Sequence, residues 1–473
     1  MDLYELSRED LIEYIKTKVS EYENSSAFSN AQVGLDYYKG KQLIDSKLRL
    51  GIGEGGKLVP ILNVPNYRIK DNQYAKLVDQ KVNYLFTKKP AVSSEDERFQ
   101  EKFGSFIDMK LLRTLNKTAY QAYNCGIAWW YLSLDEEGKE LTYKLMSSRE
   151  IIPLWQDVHR EKLQAVIRRY SKEEWDSAKK KIKNRAYLEL YTEREVMLFD
   201  VTSNKYELID NVSYIRKADS AYSWNKIPFV YFKGNDIEQP LIMRVKSLQD
   251  GINAIMSNFV DNIQEDPRST IMVLKGYDGQ DLGEFRHNLS QFGAVKVIPG
   301  EGDVGTLEVK VNSENYKAIL SLLKEKLIEN GRGLDAKNDK TGNQPNELNI
   351  KSMYSEIELD ANKIELEFQA SFEYLQDFYK KVHRVTTEDY CQVNFKRNIM
   401  VNEESLVQMI RNSEGIISKK TQIENHPLVT DTDKELQQLE LEQEEEREEF
   451  MDYNNAFEGA DIDDEKPTEV LGE

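Results

Sequence analysis

An α+β fold class follows from three features of the 473-residue sequence. Short β-like runs alternate with turns between about residues 127 and 232. Two long amphipathic patterns occupy 241–263 and 353–382, and a glycine-punctuated insert separates the first of them from a further helix. With 40% apolar and 31% charged residues the chain can bury sizeable cores. Its length suggests about three structural units.

The first helix is expected over 5–24, with Leu6, Leu11, Ile15 and Val19 on one face. A glycine-rich turn spans Gly51–Gly56, and a second helix spans about 72–86, carried by Leu77, Val78, Val82 and Leu85. A helix over 110–125 leads into the strand 127–132, and further strands are read at 163–170, 187–191, 196–200 and 229–232. The character changes at Pro240. Leu241, Val245, Leu248, Ile252, Ile255, Phe259 and Ile263 recur at near-heptad spacing until Pro267 ends the pattern. A compact β-rich insert follows, with strands at 270–274, 294–298 and 306–311. Ser313 can cap the next helix, carried by Tyr316, Ile319, Leu323 and Leu327 and closed by Gly331 and Gly333. The segment 335–346 is polar and poor in apolar residues, so burial cannot fix it and mobility is expected. The longest helix then runs through Met353, Ile357, Ala361, Ile364, Phe368, Phe372, Leu375, Tyr379 and Val382. Helices with one apolar stripe and no evident partner in the chain are expected to pack against copies of themselves. A short strand at 392–395 precedes two or three helices from Glu403, and an acidic disordered tail is expected after about Phe450.

Charge is unevenly placed. The net charge is −19, and residues 431–473 hold 18 acidic and 3 basic residues, leaving −4 for residues 1–430. No basic stripe stands out, which disfavours tight DNA binding through phosphate neutralisation but not sliding contact. The acidic N-terminus does not read as a signal peptide, and charged residues interrupt the best apolar run, 241–263, so no membrane span is expected. Cys125 and Cys391 cannot make a disulfide framework, and the four histidines are widely separated. A reducing compartment is expected, and no metal, cofactor or catalytic residue is assigned.

Gly51–Leu58 has the outline of a phosphate-binding loop, yet Leu58 stands where Ser or Thr would hold magnesium, and Val59-Pro60 opposes a following helix. A flexible surface loop is the better reading. Asp250 and Asp261 share one helix, and Asp335 and Asp339 share the polar segment, without a His, Ser or Cys constellation beside them. These carboxylates read as solvated or channel-lining charges. A nuclease and a structural scaffold component without a channel are the alternative function classes. DNA cleavage with magnesium would support the first, and particle images without a central channel the second.

Several collinear stretches resemble the portal proteins of tailed bacteriophages, of the type found in siphophages of Gram-positive hosts. They are Asn72–Pro90, Ile227–Phe232 with Leu248–Asn253, Gly415–Thr421, His426–Val429, and Asp433 with Glu435 and Leu436. The similarity spans roughly residues 70–445. One departure lies before the long helix, where the family often reads Gly-Asn-x-Ser-Gly and this chain reads Gly342-Asn343-Gln344-Pro345-Asn346.

The resemblance implies an α/β wing over 1–239, stem helices at 240–266 and 313–333, and a β-rich clip at 267–312. It further implies a tunnel loop at 334–348, a long wing helix at 349–385, a return strand in 386–402, a crown at 403–450 and the tail at 451–473. Family members form rings, normally of twelve subunits, at one capsid vertex. They nucleate procapsid assembly, dock the large terminase subunit and pass double-stranded DNA without sequence specificity. They also meet head-completion (adaptor), major capsid and scaffolding proteins. By this resemblance the chain belongs to the virion portal vertex, and to the host cytoplasm during assembly. Lys337, Asn338, Lys340, Asn343 and Asn346 would face DNA in the channel, and Tyr277, Phe285, Arg286 and Phe292 would dock terminase or connector proteins.

Overall fold

A computed structural model describes residues 3–52, 57–61, 64–176, 180–203, 205–217, 220–265, 271–275, 303–307, 313–334, 347–399, 403–429 and 432–458. The chain divides into two compact units, Met1–Asn398 and Ile399–Glu473. In the first, α1 (Arg8–Glu23) starts at Ser7, whose hydroxyl accepts from the Asp10 amide, and buries Leu11, Ile15 and Val19 as the periodicity requires. Helix α2 (Ser26–Tyr38), capped by Ser25, was not anticipated. Strands β1 (Leu50–Ile52) and β2 (Leu58–Pro60) form a hairpin. Lys57 therefore leads into a strand and not a helix, in keeping with the rejection of a phosphate loop. Helix α3 (Gln73–Leu85) is capped by Asn72, and β3 (Ala91–Ser93) precedes a further unanticipated helix, α4 (Glu97–Phe106). Helix α5 (Met109–Cys125) begins at Asp108 and stops at the left-handed Gly126.

The β region contains β4 (Ile127–Leu134), β5 (Leu141–Met146), β6 (Ile151–Trp155), β7 (Leu163–Asp176), β8 (Lys181–Tyr191), β9 (Glu195–Asp200) and β10 (Glu207–Ser213). It is completed by the ribbon β11 (Ile215–Lys217) with β12 (Ser220–Tyr222), and by β13 (Phe229–Lys233). Strands β6 to β10 make an antiparallel sheet in the order β10-β9-β8-β7-β6. Its apolar face, with Ile167, Leu188 and Leu190, packs with Leu11, Ile15 and Val19 of α1 in one core. A second sheet has the order β13-β4-β5.

The remaining elements of this unit are α6 (Ile242–Glu265), β14 (Ile271–Lys275), β15 (Asp303–Leu307), α7 (Ser313–Asn330), α8 (Glu347–His383) and β16 (Gln392–Asn394). The strand pair β14–β15 agrees with a β-rich insert between two helices; its expected strand at 294–298 lies outside the described residues. Helix α8 is the long helix, and Ile357, Ala361, Ile364, Phe368, Phe372, Leu375 and Tyr379 are buried along it. This stripe finds its partners inside the chain, contrary to the expectation of self-packing. Phe368 meets Phe86 and Phe232 with ring centroids 4.8 and 5.0 Å apart, and Tyr379 meets Phe103 at 5.2 Å. The Ser371 hydroxyl donates to the Tyr231 carbonyl (2.6 Å). The Gln376 amide group clasps Cys391, donating to its carbonyl (2.9 Å) and accepting from its N–H (2.7 Å), which brings β16 back to pair with β3. Both cysteines are buried free thiols, and burial pushes Cys125 up to about 12.

The second unit holds α9 (Glu403–Asn412), α10 (Lys419–Glu424) and α11 (Thr432–Glu458). Helix α11 continues eight residues past the expected start of the acidic tail; 459–473 lie outside the described residues. Among the described residues no helix is long and apolar enough to cross a membrane.

Candidate functional site: helix α6 and the anchor of the 335–346 segment

Helix α6 contradicts its own sequence pattern on one face. Ile263 is exposed, while Gln249, Asn253, Ser257 and Asp261, spaced by four, are buried. Each accepts a backbone N–H: Asn253, Ser257 and Asp261 from the extended segment ahead of α3, and Gln249 from Tyr74 in the first turn of α3. Gln249 Oε1 takes Tyr74 N (3.0 Å), Asn253 Oδ1 takes Asp71 N (2.9 Å), Ser257 Oγ takes Ile69 N (3.0 Å) and Asp261 Oδ1 takes Tyr67 N (2.7 Å). Residues four apart on a helix rise about 6 Å, and alternate N–H groups of an extended strand repeat about every 6.6 Å, so the rungs stay in step. The segment thus runs antiparallel to α6, with side chains standing in for a neighbouring strand. Burial without these acceptors would strand the amides.

The lower rung also carries charge. Asp261, 1% exposed, pairs with Lys47 Nζ at 2.6 Å. Asp250 accepts from the Tyr37 hydroxyl (2.6 Å) and from Lys246 (2.8 Å). The Lys246 ammonium is held above its ordinary range, chiefly by that hydrogen bond. The sequence reads both aspartates as solvated or channel-lining charges; in the structure both tie α6 to the N-terminal region.

The anchor of the polar segment is built by α3. Gln80 donates to the Leu334 carbonyl (2.8 Å) and accepts the Leu334 N–H (2.9 Å), closing a two-way clasp one residue before the segment starts. Next to it Lys81, 1% exposed, donates to the Arg332 carbonyl (3.0 Å) and pairs with Asp360 of α8 at 2.8 Å. Arg244 of α6 stands 3.7 Å from the other oxygen of Asp360. Burial drives the Lys81 ammonium below its ordinary range, and Asp360 opposes that shift. The α7 end fits only because it carries glycines: a Cβ on Gly331 or Gly333 would lie 2.3 or 2.5 Å from Leu77 side-chain carbons. One turn beyond Lys81, the Tyr84 hydroxyl donates to Glu358, which Arg397 also holds at 3.1 Å. Tyr84 stacks on Tyr354, centroids 5.7 Å apart. The stretch 72–90 therefore ties three elements together: the end of α7, α8 and, through Asp360, α6.

Lys337, Asn338, Lys340, Asn343 and Asn346, expected to face DNA, lie outside the described residues, as do Tyr277, Phe285, Arg286 and Phe292, expected to dock partner proteins. The sequence reading missed the rungs on α6 and the clasp residues Gln80 and Lys81, although both clasp residues fall inside the stretch 72–90 that carries the resemblance. It also passed over a basic stretch at the β7–β8 turn, where Lys172, Lys180, Lys181 and Lys183 are exposed.

The family model for phage portal proteins, SPP1 Gp6-like, matches residues 17–449. The portal protein of Clostridium phage phiCD119 is 30% identical over 415 residues, covering 84% of this chain and 89% of the relative. The portal protein of Bacillus phage SPP1 is 26% identical over 430 residues, covering 86% of this chain and 82% of the relative. A chain from the neck of a native GTA particle, computed with C12 symmetry, aligns with TM-score 0.37 and 8% identity over 76% of this chain and 89% of that one, a likeness too slight to argue from. The match over most of the length establishes that this chain belongs to the SPP1 Gp6-like family of phage portal proteins.

Proposed function

We propose that this portal protein acts as the subunit of a ring, normally of twelve copies, at one vertex of the capsid, and that double-stranded DNA passes through its centre during packaging and ejection. In this reading residues 1–239, with the return strand in 386–402, form the wing, α6 and α7 form the stem, 267–312 form the clip and 403–450 the crown. The 334–348 loop faces the channel. The observation that carries it is the anchor: Gln80 and Lys81 hold the end of α7 immediately before a polar stretch, and Lys81 also pairs with Asp360 of α8. A segment held at its entry by this clasp and poor in apolar side chains suits contact with a moving polyanion, because firm phosphate neutralisation would raise friction. Tyr277, Phe285, Arg286 and Phe292 are proposed to meet the large terminase subunit and head-completion proteins, with major capsid and scaffolding proteins around the ring. The role is structural and not catalytic, and its place is the portal vertex of the virion after assembly in the host cytoplasm.

Negative-stain images and light scattering of the purified protein test this. Rings with a central channel are expected; a stable 55.1 kDa monomer at every salt concentration would refute it.

A further inference from the structure

The hairpin β1–β2 carries a group of exposed apolar side chains. Leu48, Leu50 and Leu58 are 55%, 51% and 67% exposed, and Val59 and Ile61 on the opposite face are exposed too. The register Leu50↔Pro60 and Ile52↔Leu58 places Leu50, Leu58 and Pro60 on one face, with Leu48 following two residues before Leu50. Among the described residues β1 and β2 pair only with each other. Its base is fixed to the C-terminal half of α6, since Lys47 on one side of the hairpin and Tyr67 on the other both bond Asp261.

Helix α7 also has a face without a partner among the described residues. It packs on α6 through Phe259–Tyr316 (4.8 Å between rings) and Asn262 to the Tyr316 hydroxyl (3.0 Å). Its other side exposes Ala318, Ile319 and Leu322, neighbours at spacings of three and four. Phe259 lies two residues, about 200° of helix, from Ser257, so α7 and the hairpin segment occupy opposite flanks of the same half of α6. Exposed Lys57 adjoins the leucines of the hairpin and exposed Glu325 follows Leu322 on α7, opposite charges beside the two apolar faces, while Glu329 is already paired with Lys326 at 2.5 Å.

Two different apolar faces on opposite flanks of one helix cannot satisfy each other within the chain. They can do so head-to-tail between copies, the heterologous arrangement that closes into a ring. We propose that the β1–β2 hairpin of one copy packs on the outward face of α7 of the next copy. The inference rests on the ring reading above and adds to it the two faces that meet.

Cysteine pairing tests it in the full chain, because Cys125 and Cys391 are both buried. Leu58→Cys chains and Leu322→Cys chains, co-assembled, should cross-link to dimers with a short bismaleimide, and a chain bearing both changes should give a ladder of covalent multimers. Cross-links between Leu58→Cys chains alone would overturn the proposal by showing hairpin-to-hairpin contact. Intact rings without any cross-link would overturn it while leaving the ring reading standing; a monomer in place of rings would overturn both. The variant Leu50→Glu with Leu58→Glu should keep its circular dichroism and lose about tenfold or more in association. Unchanged ring formation by that variant would also refute the packing.

Discussion

Replacing Lys81 by Met removes the ammonium that Asp360 and the Arg332 carbonyl share. The Asp360 carboxylate stays mostly buried, and breaking a buried pair by deleting one partner costs about 3–5 kcal/mol. The lower end, about 3 kcal/mol, is expected here because Arg244, 3.7 Å from Asp360, keeps part of the compensation. The shift in melting temperature per kcal/mol shrinks as a unit grows, so the unit carrying Lys81 should melt about 3–6 °C lower. The companion variant Lys81→Met with Asp360→Leu removes both charges and should recover most of the loss, since a buried pair replaced by apolar side chains is often neutral. The assay is thermal melting of the wild type, both single variants and the double variant at one fixed protein concentration, because assembly makes the midpoint concentration-dependent. A coupling energy of about 2 kcal/mol is expected between the two sites. Strict additivity of the single effects, or a Lys81→Met cost below about 1 kcal/mol, would show that Asp360 depends on Arg244 and that the anchor lies elsewhere.

Ser257→Ala should leave the half-buried Ile69 amide without its acceptor, cost about 1 kcal/mol and raise hydrogen exchange at Ile69 more than at Asp71; equal exchange at both would mean the segment detaches as a whole. Burial raises the phenols of Tyr22 and Tyr131 to about 12, against about 10 in the unfolded chain. The folded state thus retains protons that the unfolded state releases, and this stability, full below pH 10, should fall progressively as the pH climbs towards 12. Denaturation midpoints that do not drop across that window would contradict the burial of these rings. Changing Lys337 and Lys340 to Glu should leave assembly intact and alter packaging or DNA retention, whereas Phe368→Asp, placing a charge in a fully buried site, should abolish folding. Equal loss of assembly from both would mark the 335–346 segment as a structural contact.

Periodicity alone determined the buried stripes of α1 and α8, because every fourth or third position there is apolar and meets an apolar surface. The glycines Gly331 and Gly333 marked the end of α7, where a Cβ would press into Leu77. Helix α2 escaped notice because the residues it buries are Ala31, Gly34 and Tyr37, whose small members carry almost no hydrophobic signal. Gly34 sits against the Asn124 carbonyl, a closeness that only the folded partner reveals. The polar face of α6 was illegible for a stronger reason. Gln249, Asn253, Ser257 and Asp261 look like solvent-facing residues, and their partners lie 175 to 194 positions away. An apolar side chain declares its burial through its own chemistry, since water rejects it wherever it stands. A polar side chain is as content with water as with a backbone amide, so only the tertiary structure, by bringing residues 67–74 alongside α6, decided which it would meet.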